Sequence, residues 1–395
     1  MGGSLISIYS NVSYALNLHT RAITTLQEQT SSGNRINRGS DDPANAYQIL
    51  GLNSQERSLD NYQAAIKDLV GDLEITTTLL DDMSSQMADI ETLLTEIVAG
   101  IYNEEGQERI ADEINNSLEQ MVSLANTKQG SQYLFSGGNT SVVPYAITRE
   151  DGLISAVTYQ GSSSPRSINV ASGVSVEAYF VGPSVFSASD RQDPIFLGQT
   201  GVAAGTGTSN VTGNVWLTVD YDGANYRVSI DDGATWTAVP SGGNANQAVT
   251  DSRTGQVLYL DTRGINAAGT ELVQVPGTYD LFDSLISLRD MLLNDRGLTT
   301  TELLNYVNES ATVLEEIENV LVQSQTSIGS QIGFLETLSS NLDDMAYDVE
   351  SQTTSLQEAD VAQISIDLSL REVLYQMSLS VAGDLMTMSL FDFLD

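Results

Sequence analysis

Two stretches of this chain place apolar residues on a strict three-four alternation, and that pattern leaves few folds open. The first runs Leu59, Tyr62, Ile66, Leu69, Leu73, Thr76, Leu80, Met83, Met87, Ile90, Leu94, Ile97 and Ile101, with Thr76 its one polar position. A 3.5-residue repeat held over six heptads is a helix seam that must meet another helix. Gly100, Asn103 and Gly106 interrupt it, and a shorter stretch follows at Ile110, Ile114, Leu118, Met121 and Ala125. The second seam runs Leu303, Val307, Ser310, Leu314, Ile317, Leu321, Ser324, Ile328, Gln331, Leu335, Leu338, Leu342, Met345, Val349, Gln352 and Leu356; twelve of these sixteen are apolar. A helix of about 55 residues extends roughly 80 Å and cannot fold back on itself. The seam at the other end of the chain is its obvious partner. The polar entries Ser310, Ser324, Gln331 and Gln352 weaken the seam and are expected to set its register.

Between the seams the composition changes. Six of the seven prolines, 19 of the 32 glycines and both tryptophans lie between residues 137 and 277. Residues 174–181, 214–221 and 225–230 alternate apolar and polar residues. Asp222-Gly223 and Asp232-Gly233 stand where hairpin turns belong, so 214–239 reads as a three-stranded meander. Segments 153–159, 166–170, 256–260 and 271–275 read as further strands, and 198–213 as a loop. The fold class is therefore α+β: a long antiparallel coiled-coil rod built from both ends of the chain, with an inserted β-rich domain. The expected divisions are a terminal helical part (1–42 with 357–395), the rod (43–138 with 279–356) and a projecting β-rich domain (139–278).

The extremes of the chain add two more helical patterns. Ile8, Val12, Ala15, Ala22 and Leu26 keep heptad spacing near the start. Leu370, Leu374, Met377, Val381, Met388 and Phe391 do so near the end, which closes on Leu390, Phe391 and Leu394. Such apolar ends need cover, from this chain or a neighbour. Without neighbours, these helices are expected to be unfolded in the isolated chain.

Charge excludes several partners. The chain carries 52 acidic and 16 basic residues, a net charge of −36, which repels nucleic acid and anionic membrane surfaces alike. It has no cysteine, so neither disulfides nor thiolate metal sites are possible. The first twenty residues lack the basic and apolar regions of a cleaved signal peptide, and no apolar run is long enough to span a membrane.

Residue chemistry points away from catalysis and from any cofactor. His19 is the only histidine, and it sits within an amphipathic helix pattern. Asp81-Asp82 and Asp343-Asp344 fall on the solvated sides of the seams, and Asp231-Asp232 on a turn. The Asp220–Asn225 stretch lacks the distal glutamate of an EF-hand calcium loop. Trp216 and Trp236 fit a β-domain core better than a sugar-stacking platform, the feature an alternative lectin-like reading would need.

One polar stretch remains, SSGNRINRGSDDPANA at residues 31–46. Glycine at 33 suits a helix C-cap, Asp42 an N-cap, and Pro43 the first position of a new helix. Arg35 and Arg38 are expected to pair with acidic groups, with a neighbouring subunit the favoured source. Arg35, Asn37, Arg38, Ser40, Asp41, Asp42 and Pro43 form a hinge or intersubunit loop on this reading.

These motifs resemble the bacterial flagellin family, in which a helix leads into a loop of the form SSGxRIxxxxDDxA. Here it stands as Ser31-Ser32-Gly33-Asn34-Arg35-Ile36, followed by Asp41-Asp42-Pro43-Ala44. Proline after the paired aspartates is similar to the hook-associated members at the hook–filament junction; filament flagellins usually have alanine there. Gly130–Gly137, Tyr159–Gly161, Ile168–Val170, Gly173–Val176, Val185-Phe186 and Asp280–Leu285 look like the junction members' β-domain entry, strands and return to helix. Glu358–Ala362, Tyr375-Gln376 and Ser389–Leu394 look like their C-terminal pattern. The resemblance covers 5–186 and 278–394, with departures at Gly39, where proline is more usual, and Met377, where alanine is common. It implies a structural component of the flagellum, not an enzyme. Such a component leaves the cell by the flagellar type III route with an export chaperone and no cleaved signal, and ends extracellular. Its implied partners are a ring of like subunits, another hook-associated protein on the hook side and flagellin on the filament side. A filament-forming flagellin is the alternative.

Overall fold

The computed structural model describes residues 2–98 and 104–394; the side chains of 2–9, 104 and 385–394 are outside the description. Seam position Ile101 and the terminal residues Ile8, Met388, Leu390, Phe391 and Leu394 therefore lie outside the described side chains. The chain packs as two compact units, residues 1–64 with 338–395 and residues 65–337.

Three helices open the chain: α1 (Gly2–Ser32), α2 (Pro43–Val98) and α3 (Glu104–Ala125). A run of antiparallel hairpins follows: β1 (Lys128–Gln129) with β2 (Gln132–Tyr133), β3 (Tyr145–Glu150) with β4 (Leu153–Tyr159), and β5 (Arg166–Ala171) with β6 (Val174–Tyr179). A one-turn helix α4 (Gly182–Phe186) leads into β7 (Ile195–Phe196), β8 (Ala203–Ala204), β9 (Gly213–Tyr221), β10 (Tyr226–Ser229), β11 (Thr237–Ala238), β12 (Gln247–Thr250), β13 (Val257–Asp261) and β14 (Gly269–Val275). The chain ends in α5 (Leu281–Leu293), α6 (Thr300–Gln357) and α7 (Val361–Leu394). This is the α+β class expected.

The strands from β7 onward form two antiparallel sheets, ordered β11-β10-β9-β14-β7 and β12-β13-β8. Their inner faces share one core: Leu217, Val219, Val228 and Val273 from the larger sheet meet Val249, Leu258 and Leu260 from the smaller. The meander is present as β9-β10-β11. At its first turn the Asp222 carboxylate accepts the Ala224 and Asn225 N–H groups, each at 2.9 Å, and Gly223 takes φ +96°. Residues 198–213 are not wholly loop, because Ala203 and Ala204 pair with Asp261 and Leu260.

Neither tryptophan is buried in that core. Trp216 lies edge-on to Tyr306 at 5.6 Å with the Arg296 guanidinium 4.8 Å above its ring, and Arg227 covers Trp236 at 4.4 Å. Both rings are half-buried, each under an arginine of the same chain. The residues weighed for calcium are also engaged: Asp220 accepts from Arg227 Nε at 2.7 Å while Asp222 holds its turn. His19 is half-buried in α1, its Nδ1 enclosed without a hydrogen-bond partner.

The hairpins are fastened to helices by a buried arginine. Arg289 on α5 is 3% exposed; its Nη1 donates to Asn115 Oδ1 on α3 at 2.8 Å and to the Ile154 carbonyl on β4 at 2.7 Å. Its Nη2 reaches Asp290 at 2.6 Å, so the charge is paired. Tyr145, Phe186 and Phe282 pack with tilted or edge-on rings at centroid distances of 4.8 to 5.9 Å.

Candidate functional site

Both long helices enclose most of their seam positions, and side chains of α2 and α6 approach each other at two points. In residues 65–337, Ile66, Leu69, Leu73, Leu80, Met87 and Leu94 of α2 are buried, as are Leu314, Ile317, Leu321, Ile328 and Leu335 of α6. Burying each such side chain contributes roughly 1.5–3 kcal/mol. Glu91 sits close enough to Glu318 and Glu315 for burial first, and then those like charges, to raise its pKa. In residues 1–64 and 338–395, Leu59 and Leu342 are buried, Leu338 is half-buried, and Gln63 Nε2 donates to Asp343 at 2.6 Å.

Met345 is expected in the seam but falls outside it. It is 47% exposed, and Gln352 is exposed as well. The enclosed side of α6 here is carried by Leu342, Ala346, Val349, Thr353 and Leu356. A straight helix drifts about 20° per heptad against a 3.5-residue repeat, which carries Met345 past the edge of the contact. The polar seam entries behave differently from one another. Ser310 is buried and bonds back to the Tyr306 carbonyl at 2.9 Å, whereas Gln331 Oε1 is enclosed without a partner.

The loop between α1 and α2 is a joint tied to the other end of the chain. Gly33, at φ +71°, closes α1 by donating to the Gln29 carbonyl at 2.9 Å. Asn34 then bridges to Glu358; the Arg35 N–H donates to the Gln357 carbonyl at 2.7 Å and the Ala359 N–H to the Gly33 carbonyl at 3.0 Å. Ile36 is buried. Asp41 accepts the backbone N–H groups of Asn37 at 3.1 Å and Arg38 at 2.8 Å, which closes the loop on itself. Asp42 accepts the Asn45 N–H at 3.2 Å, so it caps α2 with Pro43 at the first helical position. Those hydrogen bonds from Asn45, and then the charge of Arg35, hold the Asp42 carboxyl below the usual range. Ser40 and Asn37 are exposed.

Both arginines of the loop have an acidic partner within the chain, and both side chains are exposed. Arg35 lies 3.5 Å from Asp42 and donates to the Leu356 carbonyl at 3.1 Å; Arg38 reaches Glu28 at 2.9 Å. Asp42 lies at the end of the loop and Glu28 on the last turns of α1, so both partners are close along the chain.

α1 packs along α7. Val12, Leu26 and Leu374 are half-buried, but Met377 is 61% and Val381 50% exposed, with Tyr14, Ile366 and Leu370 also turned outward. Both segments are helical. Their outward faces still leave apolar surface uncovered. Among the described residues no group of carboxylates and histidines could hold a metal, and no helix is long and apolar enough to cross a membrane.

Residues 6–140 match the model of the bacterial flagellin N-terminal helical region. Flagellar hook-associated protein 3 of Escherichia coli K12 is 24% identical over 120 residues, 30% of this chain and 38% of that protein, so the match spans well under half of the relative. The flagellar filament 30.7 kDa core protein of Treponema maltophilum is 25% identical over 151 residues, 38% of this chain and 50% of that protein. In fold, the chain is similar to the crystal structure of flagellar hook-associated protein 3 from Legionella pneumophila. The TM-score is 0.54 at 16% identity, over 78% of this chain and 98% of that one. A putative flagellar hook-associated protein from Vibrio parahaemolyticus is also similar, with a TM-score of 0.51 at 13% identity, over 80% of this chain and all of that one. The chain is thus similar to the bacterial flagellin N-terminal helical region over residues 6–140, and it shares its fold with the hook-associated structures.

Proposed function

We propose that this chain is a structural subunit of the bacterial flagellum, placed at the junction between hook and filament. The observation that carries the reading is the combination of an Asp42-capped, Pro43-led α2 with the fold of the hook-associated structures. Apolar faces left open on α1 and α7 supply assembly surface, with Val12, Leu26, Leu374, Met377 and Val381 as contacts to like subunits. The partners are further copies in a ring, another hook-associated protein on one side and flagellin on the other. An export chaperone precedes them, and the final location is extracellular. Three working parts follow: terminal helices (1–42 with 357–395), a rod (43–138 with 279–356) and a β-rich projection (139–278).

Cells lacking the chain are expected to keep their hooks and shed flagellin monomer into the medium; retained filaments would contradict the junction role. The match to the Treponema filament core protein favours a second reading, a filament-forming flagellin. Purified subunits separate the two, because a flagellin polymerises into long filaments and a junction subunit stops at short rings.

A further inference from the structure

Residues 1–64 with 338–395 carry two outward helix faces that complement each other. Asp42, at the start of α2, lies against Arg35, which also holds the last turn of α6 through Leu356; Gln63 meets Asp343. Residues 42–63 of α2 therefore run antiparallel beside residues 357–343 of α6. On α2 the enclosed side is Ile49, Leu52, Glu56 and Leu59, and the opposite side presents Tyr47, Leu50, Ser54 and Arg57. Tyr47 is 79% and Leu50 67% exposed. Among the described residues no carboxylate lies within ion-pair distance of Arg57, although the chain holds 52 acidic residues against 16 basic. On α6 the side facing away from its enclosed residues carries a groove of about 660 Å³, lined by Tyr347, Glu350, Ser351, Thr354, Glu358 and Asp360 among others. Its lining holds three carboxylates, no cation and the 71% exposed ring of Tyr347.

We propose that the Tyr47–Arg57 face of one copy docks into the Tyr347–Asp360 groove of a second copy. A chain of net charge −36 repels its own copies, and Arg57 set against the groove's carboxylates offsets that repulsion at the contact. Tyr47 to Arg57 and Tyr347 to Gln357 each extend about 15 Å at 1.5 Å per residue. The two faces lie at one level of the helix pair and point away from its shared seam. Each copy thus offers one of each, and the contact is heterologous: it repeats from copy to copy and closes where the rotation allows. The inference rests on the ring of like subunits proposed above and assigns its lateral contact.

The chain has no cysteine, which makes disulfide trapping clean. Leu50→Cys with Ser351→Cys, in the full chain expressed in flagellated cells and oxidised in place, is expected to give a ladder of multiples of 42.4 kDa on a non-reducing gel. Tyr47→Cys with Thr354→Cys is the second pair. Each single variant should stay monomeric; a dimer from Leu50→Cys alone means a self-to-self face and overturns the inference. Arg57→Glu should lower incorporation into flagella about tenfold, and adding Glu350→Arg should restore it. If the chain is present in flagella but neither pair gives a ladder, the lateral contact is wrong and the junction role stands. If the unmodified chain is absent from flagella, the junction role fails and this contact with it.

Discussion

The Arg35 guanidinium donates to the Leu356 carbonyl at 3.1 Å, across 321 residues of sequence. One side chain thus joins the loop after the first helix to the end of the last long one. Replacing Arg35 with alanine removes this bond and the contact with Asp42. The group is exposed, so the expected loss is about 1 kcal/mol. Hydrogen exchange at residues 33–42 and 357–360 should speed up, while the strands of the β-rich insert keep their protection.

The seam gives a graded test. Leu73 is fully enclosed, so Leu73→Ala should cost about 2–5 kcal/mol. Met345→Ala should stay within about 0.5 kcal/mol, because Met345 is outside the contact. Urea midpoints of the two variants check this; equal losses would mean that Met345 belongs to the seam.

Gln331 is expected to cost stability where it stands. Its enclosed Oε1 has no partner, and Gln331→Leu should raise the urea midpoint, by about 1 kcal/mol in stability. If the polar entry sets the register, the same variant should also broaden the transition.

A buried acid gives the pH dependence. Glu271 on β14 is 1% exposed, and burial raises its pKa, opposed by the hydrogen bond from Thr200. A folded-state pKa above the unfolded value means that folding binds a proton. The contribution of Glu271 is therefore most favourable below its unfolded value of 4.5 and weakens as pH rises through the folded value. Glu271→Gln should be more stable than the parent at pH 7, with the difference shrinking toward pH 4, as read by thermal melts at both. Asp231 works in the opposite sense. Burial pushes it up, but hydrogen bonds from Thr235, Ser252 and Ser229 outweigh that and hold it low, so its support is lost in strong acid.

Periodicity made the helices legible, because a seam must repeat; Leu59 through Leu94 and Leu314 through Leu335 are enclosed at the expected steps. The hairpin turns were legible through Asp222-Gly223, and the joint through Gly33, Asp42 and Pro43. Contacts between distant segments were not. Nothing local marks Arg289 as the bond between α3 and β4, or Glu28 as the partner of Arg38. The lapse at Met345 needed the drift of a real helix against an ideal repeat. The arginines over Trp216 and Trp236 depend on which strands and turns meet, and alternation does not say that.

The central claim is a place on the flagellum. Gold-labelled antibody against residues 139–278, applied to isolated hook–filament particles, is predicted to mark a single narrow band where hook meets filament. Label spread along the whole filament would contradict the junction role and establish a filament subunit instead.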